Sequence, residues 1–261
     1  MTSLVPGLAY TTWSMANLTQ DRGYVWANDV SASYGGIRKG NDVLRGLSFS
    51  AQAGDITAIV GPNGAGKTTL FRVLMGFLPV HEGHCRVAGV DPARYRRTRG
   101  IGYVPESTRF PTGWTGMDLL RRAVDLGIAD RDQREQALMC AIEQSGLQLP
   151  VLSKEARRYS HGTQRRLALA HALIGDPDVL ILDEPFAGLD PPARKSLRRE
   201  MDSARTRGAV VLVSTHDLSE VARSADRIVF VEAGLVKEIR DLTAEIVLSG
   251  AGLEQELLAE R

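Results

Sequence analysis

Apolar residues change their spacing three times along the chain. Strand-like runs cover Val25–Tyr34 and, after a Gly35-Gly36 turn, Val43–Ala51 and Asp55–Val60. With His84–Val90 they predict an antiparallel sheet. A short strand is expected over 100–104, ending at Pro105-Glu106, and residues 107–115 form a loop carrying Phe110, Pro111 and Trp114. The period then becomes helical. Thr115 can cap Gly116–Leu126, whose Leu119, Leu120, Ala123 and Val124 share one face. Asp130 with Gln133 three residues on resembles a capping box, and Gly146 is the expected stop. Residues 106–160 therefore read as a helical insert between core strands.

Beyond the insert, helices and strands alternate. Ser160 begins a helix that ends at Gly175, and the unbroken apolar run Val179–Leu182 has the character of a strand buried on both faces. Pro191 and Pro192 open the next helix, which stops at Gly208. Ala209–Ser214 is a strand, and Asp217 with Glu220 caps the helix after it. Ile228–Val231 and Leu235–Ile239 pair as a hairpin around Ala233-Gly234, and residues 243–258 suggest a final amphipathic helix. Such alternation predicts an α/β fold with a parallel sheet covered on both faces. Residues 1–23 show no period and read as a loose N-terminal extension.

Composition narrows the class. A chain of 261 residues with 43% hydrophobic and 24% charged content suits one large globular α/β unit. A net charge of +1 gives no global field to recruit nucleic acid, so no nucleic-acid partner is expected. The basic clusters Arg96-Arg97-Thr98-Arg99 and Arg198-Arg199 have acidic neighbours and read as solvated faces. Cys85 and Cys140 lack metal-type spacing, and the longest apolar runs are strand-sized. The first 20 residues lack the pattern of a signal peptide. The expectation is a soluble, cytoplasmic protein that reaches any membrane through a partner.

The chemistry centres on Gly61-Pro62-Asn63-Gly64-Ala65-Gly66-Lys67-Thr68-Thr69, which fits G-x-x-x-x-G-K-[ST] between a strand and a helix. Glycines let consecutive backbone N–H groups curl around phosphates, and the helix start adds donors and a positive dipole end. Lys67 would reach the β- and γ-phosphates of a nucleoside triphosphate, and Thr68 would offer its hydroxyl to Mg²⁺. Asp183 and Glu184 close the strand 179–182, at the end where ligands of open sheets gather. Asp183 suits the Mg²⁺, and Glu184 could polarise a water for in-line attack. His216 would reach the γ-phosphate from the neighbouring strand. Tyr34 is placed either to stack on adenine or to lie buried in the strand pair.

These stretches, with Tyr159-Ser-His-Gly-Thr-Gln164, Leu180-Ile-Leu-Asp-Glu-Pro185, Ala187-Gly-Leu-Asp190 and Ser214-Thr-His-Asp217, stand in the order and spacing of an ABC-type ATPase subunit. The resemblance covers about residues 24–240, with 241–261 as a helical tail. It implies ATP and Mg²⁺ as ligands, and two chains closing head-to-tail around two ATPs. Ser160 and Gly162 would head a helix offered to the nucleotide of another subunit, with Asp190 at the seam. A separate integral membrane subunit is implied, which would place the chain peripherally on the cytoplasmic face of the membrane. Three positions depart from the commonest pattern: Glu106 stands where glutamine is usual, His161 replaces a glycine, and Thr163 a glutamine. Glu106 can still ligate Mg²⁺ or hold water, but it adds negative charge beside Glu184. Val-Pro-Glu with Ser-His-Gly-Thr resembles exporter subunits more than uptake systems.

Phe110 and Trp114 either form a groove for a short helix of the membrane subunit or close the core of the insert. A soluble ABC-type ATPase acting on a non-membrane complex is the alternative function. It lacks support in long coiled coils or a second Gly-Lys-Thr. A non-hydrolysing regulator is disfavoured by the presence of both Glu184 and His216.

Overall fold

The computed structural model describes residues 24–35 and 42–242, so the extension expected over 1–23 and the helix expected over 243–258 lie outside the described residues. Of the first four strands, β1 (Val25–Ala32), β2 (Leu44–Ala51) and β4 (Glu82–Val87) form an antiparallel sheet in the order β2-β1-β4. The remaining one, β3 (Ile56–Val60), does not join them, which corrects the expectation for residues 55–60. It lies inside a six-stranded sheet of order β5-β6-β7-β3-β8-β9. The partners are β5 (Gly102–Val104), β6 (Val179–Leu182), β7 (Val210–Thr215), β8 (Arg227–Glu232) and β9 (Leu235–Asp241). Pairings from β5 through β8 are parallel, and β9 runs antiparallel on the edge. The physical difference is burial. All five residues of β3 are buried, whereas β1 exposes Asn28 and Asp29. A strand wetted on part of one face belongs in an antiparallel layer, and one covered on both faces belongs in the parallel sheet.

Alternate residues of the central strands supply two cores. Ile59, Ile181 and Leu212 face a core shared with the antiparallel sheet and with Leu70 and Phe71 of α1 (Lys67–Leu74). Ala58, Leu182 and Val213 face the other side, against α6 (His161–Leu173) and α7 (Pro191–Thr206). The period of two along each strand makes this division unavoidable. A third core holds α3 (Gly116–Gly127), α4 (Arg131–Ser145) and α5 (Leu149–Leu152) together through Leu120, Val124, Leu138 and Leu152. Helix α6 serves both neighbours: Leu167 and Ala170 enter the third core, Ala168 and Leu173 the second.

Local chemistry explains the helix ends. Thr115 and Asp118 form a reciprocal capping box at α3. At α4 the Asp130 carboxylate accepts from Asp132 N–H rather than engaging Gln133, and Gly146 ends the helix with a left-handed φ of 59°. Helix α2 (Pro92–Thr98), unforeseen in the sequence, is capped by Asp91 and buries Tyr95. Its Arg96 donates to Met75 O and lies 4.3 Å above the Phe77 ring, so it is not part of a solvated face. Arg198 is likewise bound, to the buried Glu220. Glu220 was expected to help cap α8 (Leu218–Ala222). The Asp217 carboxylate caps that helix by accepting from Ser219 and Glu220 N–H, while the Glu220 side chain is held by Arg194 and Arg198.

The β8–β9 hairpin turns through Ala233 (φ 48°) and Gly234 (φ 81°), both left-handed as a two-residue hairpin of matching twist requires. Gly234 N–H donates to Ala65 O, and Gly234 O accepts from Arg45 N–H. The turn thus clips the glycine loop after β3 to the antiparallel sheet.

Candidate active site

Because β3, β6 and β7 are adjacent and parallel, their C-terminal ends open on one edge of the sheet. Gly61, Asp183 and His216 follow these three strands. A Cβ on Gly61 would lie 2.1 Å from Val231 O, so only glycine lets the chain leave β3 beside β8. Gly66 then takes φ 108° and turns the chain into α1. Asn63–Thr69 form one wall of a cavity of about 310 Å³, completed by Val43, Glu106, Asp183 and Glu184.

Lys67 Nζ donates to the Gly61 and Pro62 carbonyls at 2.7 and 3.3 Å and stands 3.4 Å from Glu184 Oε1. Asp183 is only 1% exposed, yet both its oxygens are satisfied. Ser214 Oγ donates to one at 2.6 Å and Thr68 Oγ1 to the other at 2.8 Å. Ser214 Oγ also accepts from Glu184 N–H at 2.8 Å. Glu184 itself is buried with φ 46°, a sparsely populated region for a residue with a Cβ. Its Oε2 is 3.0 Å from His216 Nδ1, while its buried Oε1 has no aligned hydrogen-bond donor. A carboxylate is therefore held between an ammonium and an imidazole, with Oε1 beside Lys67 and Oε2 on His216. That arrangement can orient a water and accept its proton.

The oxygen donors of Thr68, Asp183 and Glu106 are hard ligands of the kind Mg²⁺ takes. Among the described residues no group of three or more His, Cys, Asp and Glu could hold a metal unaided. A cation here would draw its remaining ligands from phosphate and water, the usual habit of Mg²⁺ at nucleotides.

Other expected site residues lie elsewhere. Tyr34 is 47% exposed, which removes the strand-buried alternative. Its hydroxyl shares a hydrogen bond with Thr69 Oγ1 at 3.3 Å and accepts from Arg72 at 2.9 Å, beside the mouth of the glycine loop. Ser160, Gly162 and Asp190 do not line the cavity. Ser160 and Asp190 cap α6 and α7, accepting from Thr163 and Ala193 N–H, and a Cβ on Gly162 would meet open space. Trp114 is 39% exposed, whereas Phe110 packs half-buried on the third core, in line with the alternative of a ring that closes the insert. The sequence reading missed two site residues. Ser214 lies near the end of an apolar strand and Arg165 on a helix, and neither residue type signals a site role in that setting. Arg165 donates from Nη1 to Pro105 O and from Nη2 to Glu184 O, each at 2.7 Å. Burial lowers its pKa, while Asp183, Glu106 and Glu184 favour its charge.

Residues 44–187 match the ABC transporter family. An uncharacterized ABC transporter ATP-binding protein of Rhizobium meliloti is 34% identical over 218 residues, covering 82% of this chain and 79% of that protein. The Nod factor export ATP-binding protein I of Rhizobium etli is 35% identical, over 79% of this chain and 65% of its own length. Several curated relatives are longer than the match, the chain spanning 60% to 65% of their length. A solved structure described as the ATP binding subunit of an ABC transporter superposes with a TM-score of 0.78 at 28% identity, covering 90% of this chain and 98% of that one.

Proposed function

The chain belongs to the ABC transporter family, among its ATP-binding proteins, and from that premise we propose that it hydrolyses ATP to drive a separate membrane subunit. The observation that carries this reading is the half-built site. Lys67, Asp183, Glu184 and His216 converge on one sheet edge, while Ser160 and Gly162 at the start of α6 do not line that cavity. A second copy, or a related chain, would bring its Ser160 and Gly162 to the γ-phosphate and its Asp190 to the seam. The N-terminal end of α6 supplies unpaired N–H groups and a positive dipole for that role.

In the reaction, the backbone N–H groups of Asn63–Thr69 hold the β- and γ-phosphates, and Lys67 exchanges its carbonyl partners for phosphate oxygens. Thr68, Asp183 and Glu106 would hold Mg²⁺, which neutralises charge developing on the phosphates. Glu184 orients the attacking water and takes its proton, and His216 keeps the carboxylate aimed. Tyr34 carries the adenine at the loop mouth. Residues 24–240 act as one ATPase unit, with about 106–160 as its helical subdomain.

No helix among the described residues is long and apolar enough to cross a membrane. On this reading, work on a membrane substrate passes through a partner, with Trp114 and the adjacent loop as the docking groove and the chain at the cytoplasmic face. Export is the favoured direction, on the strength of Val104-Pro105-Glu106 and the similarity to a Nod factor export protein.

The test compares wild type with Glu184→Gln. Wild type should release phosphate from Mg-ATP, and Glu184→Gln should bind ATP, lose at least about a hundredfold in rate, and elute as a dimer with ATP. Equal, negligible rates for the two proteins would refute the hydrolytic reading.

A further inference from the structure

Arg165 occupies a position that none of the motif roles uses. It lies on α6, five residues beyond Ser160, and its guanidinium reaches out of the helix to two separate chain segments. One Nη donates to Pro105 O, the residue before Glu106; the other donates to Glu184 O, each at 2.7 Å. Bonds this short from a planar, always-charged fork to two carbonyls are strong and geometrically exacting. Glu184 needs such restraint. Its backbone sits at φ 46°, where an L residue stays only if its surroundings hold it. Ser214 holds the N–H side of that peptide position, and Arg165 the C=O side.

The same side chain lies on the helix that joins two cores. Leu167 and Ala170 fasten α6 to the helical subdomain, and Ala168 and Leu173 fasten it to the central sheet. A shift of the Ser160 end of α6 therefore pulls on Arg165. Burial opposes the guanidinium charge, and the charges of Asp183, Glu106 and Glu184 favour it. Glu106 adds one of these charges, so the site has particular use for a cation at this point.

We propose that Arg165 is a positioning residue for hydrolysis: it fixes the backbone of Glu184 and couples α6, whose Ser160 end would meet the nucleotide of a second subunit, to the carboxylate serving its own nucleotide. This rests on the ATPase reading above. Arg165 does not line the cavity walled by Asn63–Thr69, so its loss should impair the chemical step and spare nucleotide binding.

The experiment measures kcat, KM and ATP Kd, with the ATP-dependent dimer followed by gel filtration, for wild type, Arg165→Gln and Arg165→Lys. Two charge-assisted hydrogen bonds are removed in Arg165→Gln, so kcat should fall roughly ten- to a hundredfold. Kd for ATP should stay within about twofold, and the variant should accumulate the ATP-bound dimer expected of Glu184→Gln. Arg165→Lys, with one donor group in place of a fork, should recover part of the rate. Arg165→Gln with kcat near the wild-type value overturns the inference, as does loss of ATP binding in proportion to the loss of rate. If Arg165→Gln does not fold, Arg165→Lys is judged by the same limits. Wild type that binds ATP but turns it over no faster than Glu184→Gln removes the ATPase reading and the inference with it.

Discussion

Replacing Ser214 by alanine tests how Asp183 and Glu184 are held. Ser214 is fully buried at the end of β7, and its hydroxyl makes two bonds, donating to Asp183 Oδ1 at 2.6 Å and accepting from Glu184 N–H at 2.8 Å. Removing the oxygen deletes a hydrogen bond to a charged group, worth about 1.5–3 kcal/mol, and leaves a buried N–H without its partner, at a cost of about 1–3 kcal/mol. Such terms are not fully additive, so the expected loss is about 3 kcal/mol, large for a single substitution. For a chain of this size that lowers Tm by about 6–12 °C. Differential scanning calorimetry reads it directly, and phosphate release at saturating ATP should fall as well, because Glu184 loses the anchor on its N–H. A Ser214→Ala protein melting within about 2 °C of wild type would refute the reasoning: the hydroxyl would then not be what keeps the carboxylate and the peptide satisfied.

Other substitutions bear on separate parts of the account. Glu106→Gln should leave ATP affinity within about twofold but change the Mg²⁺ concentration giving half-maximal ATPase, since one wall carboxylate becomes neutral; an unchanged metal dependence would count against its place in the metal site. Gly61→Ala should abolish ATP binding, measured by equilibrium dialysis, because its Cβ would meet Val231 O at 2.1 Å; retained binding would contradict the tight exit from β3. Trp114→Ala should keep Tm within about 2 °C, in line with an exposed site, while reducing recovery of a membrane partner in pull-downs. Unchanged recovery would remove the docking groove.

Much of the architecture was legible from residue patterns because the decisive features are local. The glycine loop between a strand and a helix, the Thr115 cap and the Ala233-Gly234 turn each announce themselves within a few residues. Asp183 and Glu184 follow an unbroken apolar run, which places them at a sheet end. The misassigned strand shows the limit. Ile56–Val60 looks like its antiparallel neighbours in sequence, and only pairing between distant segments, β3 with β7 and β8, sets it in the parallel sheet. Arg165, Arg198 and Glu220 were opaque for the same reason. A charge on a helix face reads as solvated until the fold brings a buried carbonyl or carboxylate under it. Glu184 in a left-handed conformation was equally hidden: Pro185 after it disfavours the right-handed helical region at Glu184, but a following proline ordinarily selects extended backbone, not a positive φ.

The central claim is that ATP closes two copies of this chain and that closure is passed to a membrane subunit. Affinity isolation of tagged Glu184→Gln protein from gently solubilised cells, with Mg-ATP throughout, tests it most directly. The account predicts a polytopic membrane protein recovered in stoichiometric amount with an ATP-dependent dimer. Recovery of ribosomes or a soluble complex in its place, with no membrane protein, would contradict the transport reading and leave the nucleotide site to serve another machine.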